Sequence, residues 1–228
     1  MQRLIVALVR HGEYHQLPDT PSAHQPFPLN ANGQAQAVNG GREIAAWLAR
    51  ENLQLSPEID CSDLLRAWET ADLIAGELGE PRLRAFSQLA ERCVGSAANL
   101  TIAEIEAIVA EDPRCEPLPA DWKRNSYFRL PLPGSESLMA AGERVATHIR
   151  ARMQEVASGN ARDVLKIFVG HGAAFRHAAY ALGAMEFEDI ARRSMYHARP
   201  IYFDYDPATG ACAQIDGAWK VRDDASID

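Results

Sequence analysis

Two apolar segments of this chain each end in a histidine–glycine step. Residues 4–9 lead into Arg10-His11-Gly12, and residues 164–169 lead into Gly170-His171-Gly172. Neither segment alternates polar and apolar residues, which is typical of a strand buried on both faces. Such strands belong to parallel sheets that helices cover on both sides. The pair therefore predicts an α/β protein, a three-layer α/β/α sandwich with a mainly parallel central sheet.

The intervals between these strands carry helical patterns. Helices are expected at 33–51, 64–78, 101–111, 137–157 and 173–182, a short strand at 57–62, and a terminal hairpin at 200–205 and 212–215. Thr101, with Glu104 three residues later, has the spacing of a capping box. Residues 113–133 contain five prolines and are expected to be irregular. No repeat or linker divides the chain, so residues 1–228 are predicted to form a single domain.

Composition narrows the functional classes. A net charge of −8 disfavours non-specific binding to nucleic acid or to an anionic membrane. No apolar run approaches the roughly 18 residues of a membrane span, and the first residues do not form a signal-peptide pattern. The four cysteines lack metal-ligand spacing and are expected to be reduced thiols. We therefore expect a cytoplasmic protein with no nucleic-acid or membrane partner. A homodimer is left open, since acidic domains of this size often dimerise.

Polar segments follow three predicted strands, at residues 10–13, 61–66 and 170–172. In open α/β sheets, ligands bind beyond the carboxyl ends of the strands. Taken singly, a His-Gly step is more often a turn, and Arg66 is more often a solvated helix residue. Together, the segments bring two histidines and two arginines to one sheet edge. That combination predicts a pocket for a phosphoryl group.

Backbone groups are expected to complete this pocket. Gly12 and Gly172 follow the two histidines and would let backbone N–H groups approach an anion closely. The helix that opens near Ala173 would add the positive end of its dipole. The other common phosphate-binding signatures, Gly-x-Gly-x-x-Gly and Gly-x-x-x-x-Gly-Lys-Ser/Thr, are missing.

The ordered set of motifs resembles the histidine phosphatase superfamily, which includes the cofactor-dependent phosphoglycerate mutases. The matching segments are 8–13 (LVRHGE), 28–37 (PLNANGQAQA), 62–71 (SDLLRAWETA), 89–92 (LAER), 133–137 (PGSES) and 169–172 (VGHG). The opening motif alone is modest evidence, whereas the whole set in this order is specific. The resemblance implies a phosphoglycerate-mutase-like fold, with a substrate-specificity insertion at about 93–133.

The resemblance also implies a role for each matching residue. His11 would be the nucleophile that becomes phosphorylated, and a neutral imidazole with a pKa near 6.5 suits that task. Glu91 would protonate the leaving oxygen and later take a proton from the attacking water. The groups expected to bind the substrate are Arg10, Gly12, Ser62, Arg66, Arg92, His171 and Gly172. Among them, His171 is expected to be cationic, or at least a hydrogen-bond donor. No metal or other cofactor is required.

The sequence thus predicts a phosphomonoesterase that works through a phosphohistidine intermediate. Its substrate would be a small phosphorylated metabolite or a phosphorylated protein side chain. A cofactor-dependent phosphoglycerate mutase is the alternative, but two departures from the mutase pattern disfavour it. Tyr14-His15-Gln16 stands where the mutases carry a polar Ser and then Trp-Asn, and Cys93-Val94-Gly95 replaces an expected aromatic residue. Trp122, Tyr127 and Phe128, within 115–133, are predicted to form part of a specificity wall.

A zinc peptidase and a non-catalytic binding module are the alternatives from other functional classes. His11 and His15 are four residues apart, like the ligands of zinc peptidases. That site needs a helix with Glu directly after the first His, whereas Gly12 follows His11 here. A catalytically silent phospho-ligand or protein-binding module would be expected to have lost some of the reactive side chains, and all of them are present.

Overall fold

The computed structural model describes residues 2–21, 24–159 and 162–222. Within them, the chain forms nine strands and six α-helices. The strands are β1 (Leu4–Arg10), β2 (Gln54–Leu55), β3 (Glu58–Ser62), β4 (Arg82–Phe86), β5 (Val164–Gly170), β6 (Arg193–Ser194), β7 (Pro200–Asp206), β8 (Ala211–Asp216) and β9 (Lys220–Val221). The helices are α1 (Ala31–Glu51), α2 (Leu65–Glu77), α3 (Ile102–Glu111), α4 (Leu138–Gly159), α5 (Gly172–Ala181) and α6 (Phe187–Arg192). Residues 113–133 contain neither helix nor strand, as their prolines predict.

The main sheet has the strand order β4-β3-β5-β1-β7-β8, and β2 also pairs with β5. The first four strands of this order are parallel, whereas β7 and β8 are antiparallel to their neighbours. β1 and β5 lie side by side from Leu4–Val164 to Arg10–Gly170. Their two histidine–glycine steps therefore leave the sheet at the same edge.

Two apolar cores lie on opposite faces of this sheet. Leu4, Val6 and Leu8 point into one core, which includes side chains of α4 and α5. Ile5, Ala7 and Val9 point into the other, which includes side chains of α1 and α2. A strand between two cores has no reason to alternate polar and apolar residues, because its side chains are buried on both faces of the sheet. The predicted three-layer α/β/α sandwich is confirmed.

Helix α1 contains Gly40-Gly41, which from the sequence looks like a weak point. The structure gives a packing reason for both residues. A Cβ on Gly40 would lie 2.1 Å from the carbonyl oxygen of Ala198, and one on Gly41 would lie 2.9 Å from Cβ of Glu77. The glycines let α1 pack directly on α2 and on the segment before β7.

A third apolar cluster lies within the segment 93–133 and comprises Val94, Ala97, Ile105, Trp122 and Leu130. The predicted capping box is confirmed, since the Thr101 hydroxyl and the Glu104 carboxylate cap α3 reciprocally. Cys93 and Glu136 are joined by two hydrogen bonds, which bring both ends of the segment together. None of the helices in the described ranges is long and apolar enough to cross a membrane.

Candidate active site

His11 lies directly after β1 and is 1% exposed. Its backbone N–H donates to the Gly170 carbonyl at 2.9 Å, which ties it to the end of β5. Its ring Nδ1 lies 2.7 Å from the Gly12 carbonyl oxygen. Because a carbonyl can only accept, Nδ1 carries the proton. The other nitrogen, Nε2, therefore holds the lone pair that a nucleophile needs.

The surroundings of His11 keep its ring neutral. Burial lowers the pKa of His11 well below its usual value, and the positive charge of Arg66 lowers it further. His171, Arg10 and His197 act in the same direction. A neutral imidazole at neutral pH agrees with the nucleophilic role expected for His11.

A hydrogen-bonded chain of three buried side chains lies beside His11. The Arg66 guanidinium donates to Nδ1 of His171 at 3.2 Å, and Nε2 of His171 lies 2.9 Å from the Ser62 hydroxyl oxygen. The rings of His11 and His171 are 5.1 Å apart between centroids. Arg66 also donates to the Gln25 carbonyl at 3.0 Å. His11, Ser62, Arg66 and His171, four of the predicted site residues, therefore lie together.

The structure differs from the expectation of a cationic His171. Burial lowers the pKa of His171 well below its usual value, with the charge of Arg66 as the next cause. Since guanidinium groups only donate, Nδ1 of His171 is the acceptor and Nε2 carries the single proton. The ring is thus a neutral donor, which agrees with the weaker form of the expectation. Its proton points to Ser62.

Glu91 lies at the N-terminus of α5. Its carboxylate accepts hydrogen bonds from the backbone N–H groups of Ala173 at 3.2 Å, Ala174 at 3.0 Å and Arg92 at 2.9 Å. The positive end of the helix therefore holds Glu91, so its amides are not open to a substrate anion as the sequence suggested. Through these contacts Glu91 lies against Ala173, which is two residues after His171 in the chain.

The two glycines serve packing more than anion binding. The Gly12 N–H donates to the Thr70 hydroxyl at 2.9 Å, so the expected contact with an anion is already taken. A Cβ on Gly12 would lie 2.5 Å from the Gly33 carbonyl oxygen. A Cβ on Gly172 would lie 3.2 Å from both Cδ and Nε of Arg10. Gly172 thus leaves room for the Arg10 side chain to cross the start of α5.

Glu13 fixes the loop after β1 on the start of α1. Its two carboxylate oxygens accept hydrogen bonds from the side chains of Asn30 at 2.8 Å and Asn32 at 2.7 Å. Asn30 in turn caps α1 through the Gly33 N–H at 2.8 Å. This arrangement explains why residues 28–37 accompany the histidine motif, and it gives Glu13 a supporting position.

Two histidines that the sequence analysis missed also lie at the site. Nδ1 of His197 lies 2.8 Å from the His11 carbonyl oxygen, and the two rings are 5.5 Å apart. Nε2 of His24 lies 3.2 Å from the Glu91 carbonyl oxygen. His197 precedes β7, whose antiparallel pairing with β1 brings it there, and His24 is in the proline-rich loop. No local motif marks either position.

Tyr14 forms another wall of the site. Its ring is edge-on to His11 at 5.3 Å between centroids, and the Arg66 guanidinium lies 4.6 Å above it.

Arg92 is 9% exposed, and burial lowers its pKa. The Arg92 side chain is therefore largely withdrawn from water, and its role in substrate binding stays a prediction.

The predicted aromatic wall is only partly available to a ligand. Trp122 is 1% exposed, and its indole N–H donates to Glu106 at 3.1 Å inside the third cluster. Phe128 packs against the same cluster. Only Tyr127 is largely exposed, at 63%, and it stacks on Phe187. The interpretation of Trp122 as a wall residue was wrong, because its apolar surface builds a core.

A cavity of about 640 Å³ adjoins the site, and its lining includes Arg10, Tyr196, His197 and Arg199. Among the described residues, no group of three or more His, Cys, Asp or Glu side chains is arranged to hold a metal ion.

Solved structures of known phosphatases share the fold. A mycobacterial glucosyl-3-phosphoglycerate phosphatase superposes with a TM-score of 0.67 at 20% identity, covering 96% of this chain and 97% of that one. The α-ribazole phosphatase of Shigella flexneri superposes with a TM-score of 0.65 at 22% identity, covering 92% and 94%. These matches confirm the predicted phosphoglycerate-mutase-like fold.

Sequence relatives carry a different activity in their names. A 2,3-bisphosphoglycerate-dependent phosphoglycerate mutase of Bradyrhizobium sp. (strain ORS 278) is 27% identical over 206 residues, 89% of this chain and 92% of the mutase. A mutase of the same name from Xanthobacter autotrophicus is 29% identical over equal shares. The sequence model of the histidine phosphatase superfamily, branch 1, matches residues 6–216. The chain therefore belongs to the histidine phosphatase superfamily.

Proposed function

We propose that this protein is a phosphomonoesterase that works through a phosphohistidine at Nε2 of His11. The observation that carries the proposal is the tautomer of His11, whose Nδ1 proton is held by the Gly12 carbonyl while Nε2 keeps its lone pair. A buried, neutral imidazole surrounded by Arg10, Arg66 and His171 suits attack on phosphorus.

In the first step, Nε2 of His11 forms a bond to phosphorus and the ester P–O bond breaks on the opposite side. Charge develops on the three equatorial oxygens, where Arg10 and Arg66 would donate. The Nε2–H of His171 would donate there after turning from the Ser62 hydroxyl, which it contacts at 2.9 Å. Glu91 would supply the proton that the leaving oxygen takes. The hydrogen bond from Arg66 to Nδ1 of His171 supports this assignment, because it fixes the tautomer in which Nε2 of His171 carries a proton.

In the second step, water attacks phosphorus and the P–N bond to His11 breaks. Glu91, now ionised, would accept the proton of that water, and inorganic phosphate leaves. The hydroxide part of the water ends in the phosphate and its proton restores the Glu91 acid, so the cycle closes without a co-substrate or cofactor. The substrate would be a small phosphorylated metabolite or a phosphorylated protein side chain.

A phosphoglycerate mutase is the second candidate, because the sequence relatives named above are mutases. A mutase must exclude water and return the phosphoryl group to an acceptor hydroxyl. Tyr14, where the mutases carry Ser, lies edge-on to His11 and narrows the site there. Position 94 holds a buried valine of the third cluster. These departures favour hydrolysis.

Turnover of 4-nitrophenyl phosphate in the presence of a chelator tests the proposal. His11→Ala should lower kcat by at least about 10³-fold, as loss of a nucleophile does. His15→Ala is the matched control, since His15 is an exposed imidazole four residues away, and it should retain activity. Acid quench of the wild type should trap phosphate on His11.

The same preparations should be offered 3-phosphoglycerate with a catalytic amount of the bisphosphate. Efficient isomerisation that depends on the bisphosphate would show a mutase and refute the phosphatase. Activity that the chelator removes would refute the metal-independent mechanism. A folded wild type that turns over neither compound would favour the binding module.

A further inference from the structure

A side-chain hydrogen bond attaches the segment 119–130 to helix α5, whose first turn holds Glu91. The Ser126 hydroxyl oxygen lies 3.0 Å from Nε2 of His177, and the Met139 N–H, at the start of α4, donates to the Ser126 carbonyl at 2.8 Å. Ser126 is thus held from both sides by elements outside its segment. Trp122 and Leu130, on either side of it, are buried in the third cluster.

The direction of the Ser126–His177 hydrogen bond follows from the second contact of the ring. Nδ1 of His177 lies 2.8 Å from the Ala173 carbonyl oxygen, so Nδ1 carries the proton and Nε2 accepts. The Ser126 hydroxyl must therefore donate. Burial lowers the pKa of His177 to about 4, so the ring keeps this acceptor nitrogen at neutral pH.

His177 itself has little freedom to move. It is 1% exposed, and a Cβ on Gly142 of α4 would lie 2.3 Å from its Cβ. The ring is also joined to Ala173, whose N–H holds Glu91. The hydrogen bonds Ser126–His177, His177–Ala173 and Ala173–Glu91 therefore connect Ser126 with the proposed proton donor through the first turn of α5. The hydrogen bonds described above for His11, Arg66 and His171 lead to Gly12, Gln25 and Ser62, which all lie outside segment 119–130.

We propose that the Ser126–His177 hydrogen bond is a latch that fixes segment 119–130 beside Glu91 and so sets which leaving groups the enzyme accepts. Ser126 is then a positioning residue for specificity, whereas the phosphoryl pocket works without it. The proposal rests on the proposed phosphatase activity. The contacts of the latch themselves do not depend on that activity.

Ser126→Ala removes the donor and should loosen the segment. Trypsin cleavage of the native protein after Lys123 or Arg124 should become about threefold to tenfold faster, because cleavage follows the population of the open form. Ser126→Thr keeps a hydroxyl and should be cleaved like the wild type. Ser158→Ala is the matched control, since it loses a hydroxyl hydrogen bond (to the Gln154 carbonyl, 2.9 Å) at the far end of α4.

The kinetic measurement compares phenyl, 1-naphthyl and 2-naphthyl phosphate. For the pair that the wild type separates most, Ser126→Ala should move the ratio of kcat/KM toward one by at least about threefold. Inhibition by inorganic phosphate should stay unchanged, because the phosphoryl pocket is untouched. Ser126→Thr and Ser158→Ala should keep the wild-type ratio.

Unchanged cleavage of Ser126→Ala would overturn the latch. Faster cleavage with an unchanged ratio would overturn its role in specificity. A weaker inhibition by phosphate, in parallel with lower kcat/KM for all three esters, would also contradict the proposal, since it would place Ser126 in the phosphoryl pocket. If the wild type hydrolyses none of the esters, the proposed function fails, and the cleavage comparison alone decides whether the latch exists.

Discussion

At the scale of single residues, the position of one proton on each imidazole decides what the site can do. His11 donates from Nδ1 to a carbonyl, whereas His171 accepts at Nδ1 from a guanidinium. The two neutral rings therefore hold opposite tautomers. One presents a lone pair at Nε2, and the other presents a proton there. A nucleophile and an oxyanion donor require this difference.

Nitrogen-15 NMR of the histidine-labelled protein should show both tautomers directly. At pH 7, His11 should give a protonated Nδ1 and His171 a protonated Nε2, and neither ring should be cationic, because burial lowers both pKa values. Assignment by His11→Asn and by His171→Asn, each removing one set of signals, is the control. A cationic His171 in the ligand-free protein would contradict the prediction.

The variant Glu91→Gln tests whether Glu91 acts by donating a proton or through the position of its carboxylate. The amide oxygen can still accept from α5, but the side chain can no longer supply a proton. Hydrolysis of an alkyl phosphate, whose leaving group needs a proton, should fall by about 10²- to 10⁴-fold. Formation of the phosphoenzyme from 4-nitrophenyl phosphate should fall much less, because nitrophenolate leaves unprotonated.

Glu69→Gln is the matched control for that experiment. Glu69 also accepts a backbone N–H, from Leu29 at 2.7 Å, but on α2 and away from the reacting groups. It should retain activity on both esters. Equal losses on both esters in Glu91→Gln would show that the carboxylate acts through position or charge.

At the scale of elements, the site depends on how closely α1 approaches the loop after β1. A Cβ on Gly33 would lie 1.8 Å from the Glu13 carbonyl oxygen. Gly33→Ala should therefore push the helix away and lower the free energy of unfolding by at least about 2 kcal/mol, the scale of an overpacked core. Urea unfolding measures the loss, and kcat should fall with it because Glu13 follows directly on the histidine motif.

Gly76→Ala is the opposite case. Gly76 is an exposed position in α2, and a Cβ there would have no neighbour within 4 Å. The change should raise the free energy of unfolding by about 0.5–1 kcal/mol through helix propensity alone. If both alanine variants destabilised the protein equally, close packing at Gly33 would not be the cause.

The elements that the sequence predicted are those with a strong local pattern. Strand β1 is apolar up to Arg10, β5 is apolar apart from Lys166, and α3 has its capping box. Strand β4 was missed, because at the edge of the sheet it is only half-buried and carries Arg82 and Arg84. Short elements such as α6 and the β6–β9 pair also lack a periodic pattern, since tertiary contacts define them.

The site was predictable where its residues follow parallel strands or lie in motifs. Chain order and the rule of carboxyl ends bring His11, Arg66 and His171 together. His197 escaped because it enters from the antiparallel strand β7, whose pairing with β1 no local pattern encodes. The sequence also did not predict the contacts of Glu91 with α5, because the segment that carries Glu91 reaches this helix through packing between residues far apart in the chain.

At the scale of the whole molecule, an acidic chain holds a basic site. The net charge is −8, yet Arg10 and Arg66 lie close enough to His11 for their positive charges to lower its pKa. A second set of buried charges lies under α4, where Asp60 is paired with Lys166 at 2.5 Å and with Arg152 at 2.7 Å. Burying a charged group costs free energy unless the group is paired. The titratable groups buried at these two places should therefore make the free energy of unfolding depend on pH.

The charge set under α4 should act only in strong acid. Burial alone would raise the pKa of Asp60, but hydrogen bonds from His148 and Arg152 and the charge of Lys166 lower it to about 2. A carboxyl with a lowered pKa stabilises the fold above its unfolded value of 3.8. That contribution should be lost as the pH falls from 3.8 toward 2.

The buried histidines should act earlier, as the pH falls below their unfolded pKa of about 6.5. The folded state keeps His11, His171 and His177 neutral, because burial lowers their pKa values, whereas the unfolded chain protonates them below about 6.5. The unfolded state then binds more protons, so acid favours unfolding. Each ring should contribute a slope of about 1.4 kcal/mol per pH unit to the free energy of unfolding.

Urea unfolding at pH 7, 6 and 5, in buffers free of phosphate, measures this slope. The free energy of unfolding should fall steadily over the series, by up to about 4 kcal/mol per pH unit near pH 5 if all three rings stay neutral. His11→Asn removes one of them and should reduce the slope by about 1.4 kcal/mol per pH unit. Adding phosphate should raise stability in the wild type, since a ligand that binds only the folded state stabilises it. A profile that is flat from pH 7 to 5, or one that His11→Asn leaves unchanged, would mean that the His11 ring takes up its proton in the folded protein, and with it the case for a neutral nucleophile would fail.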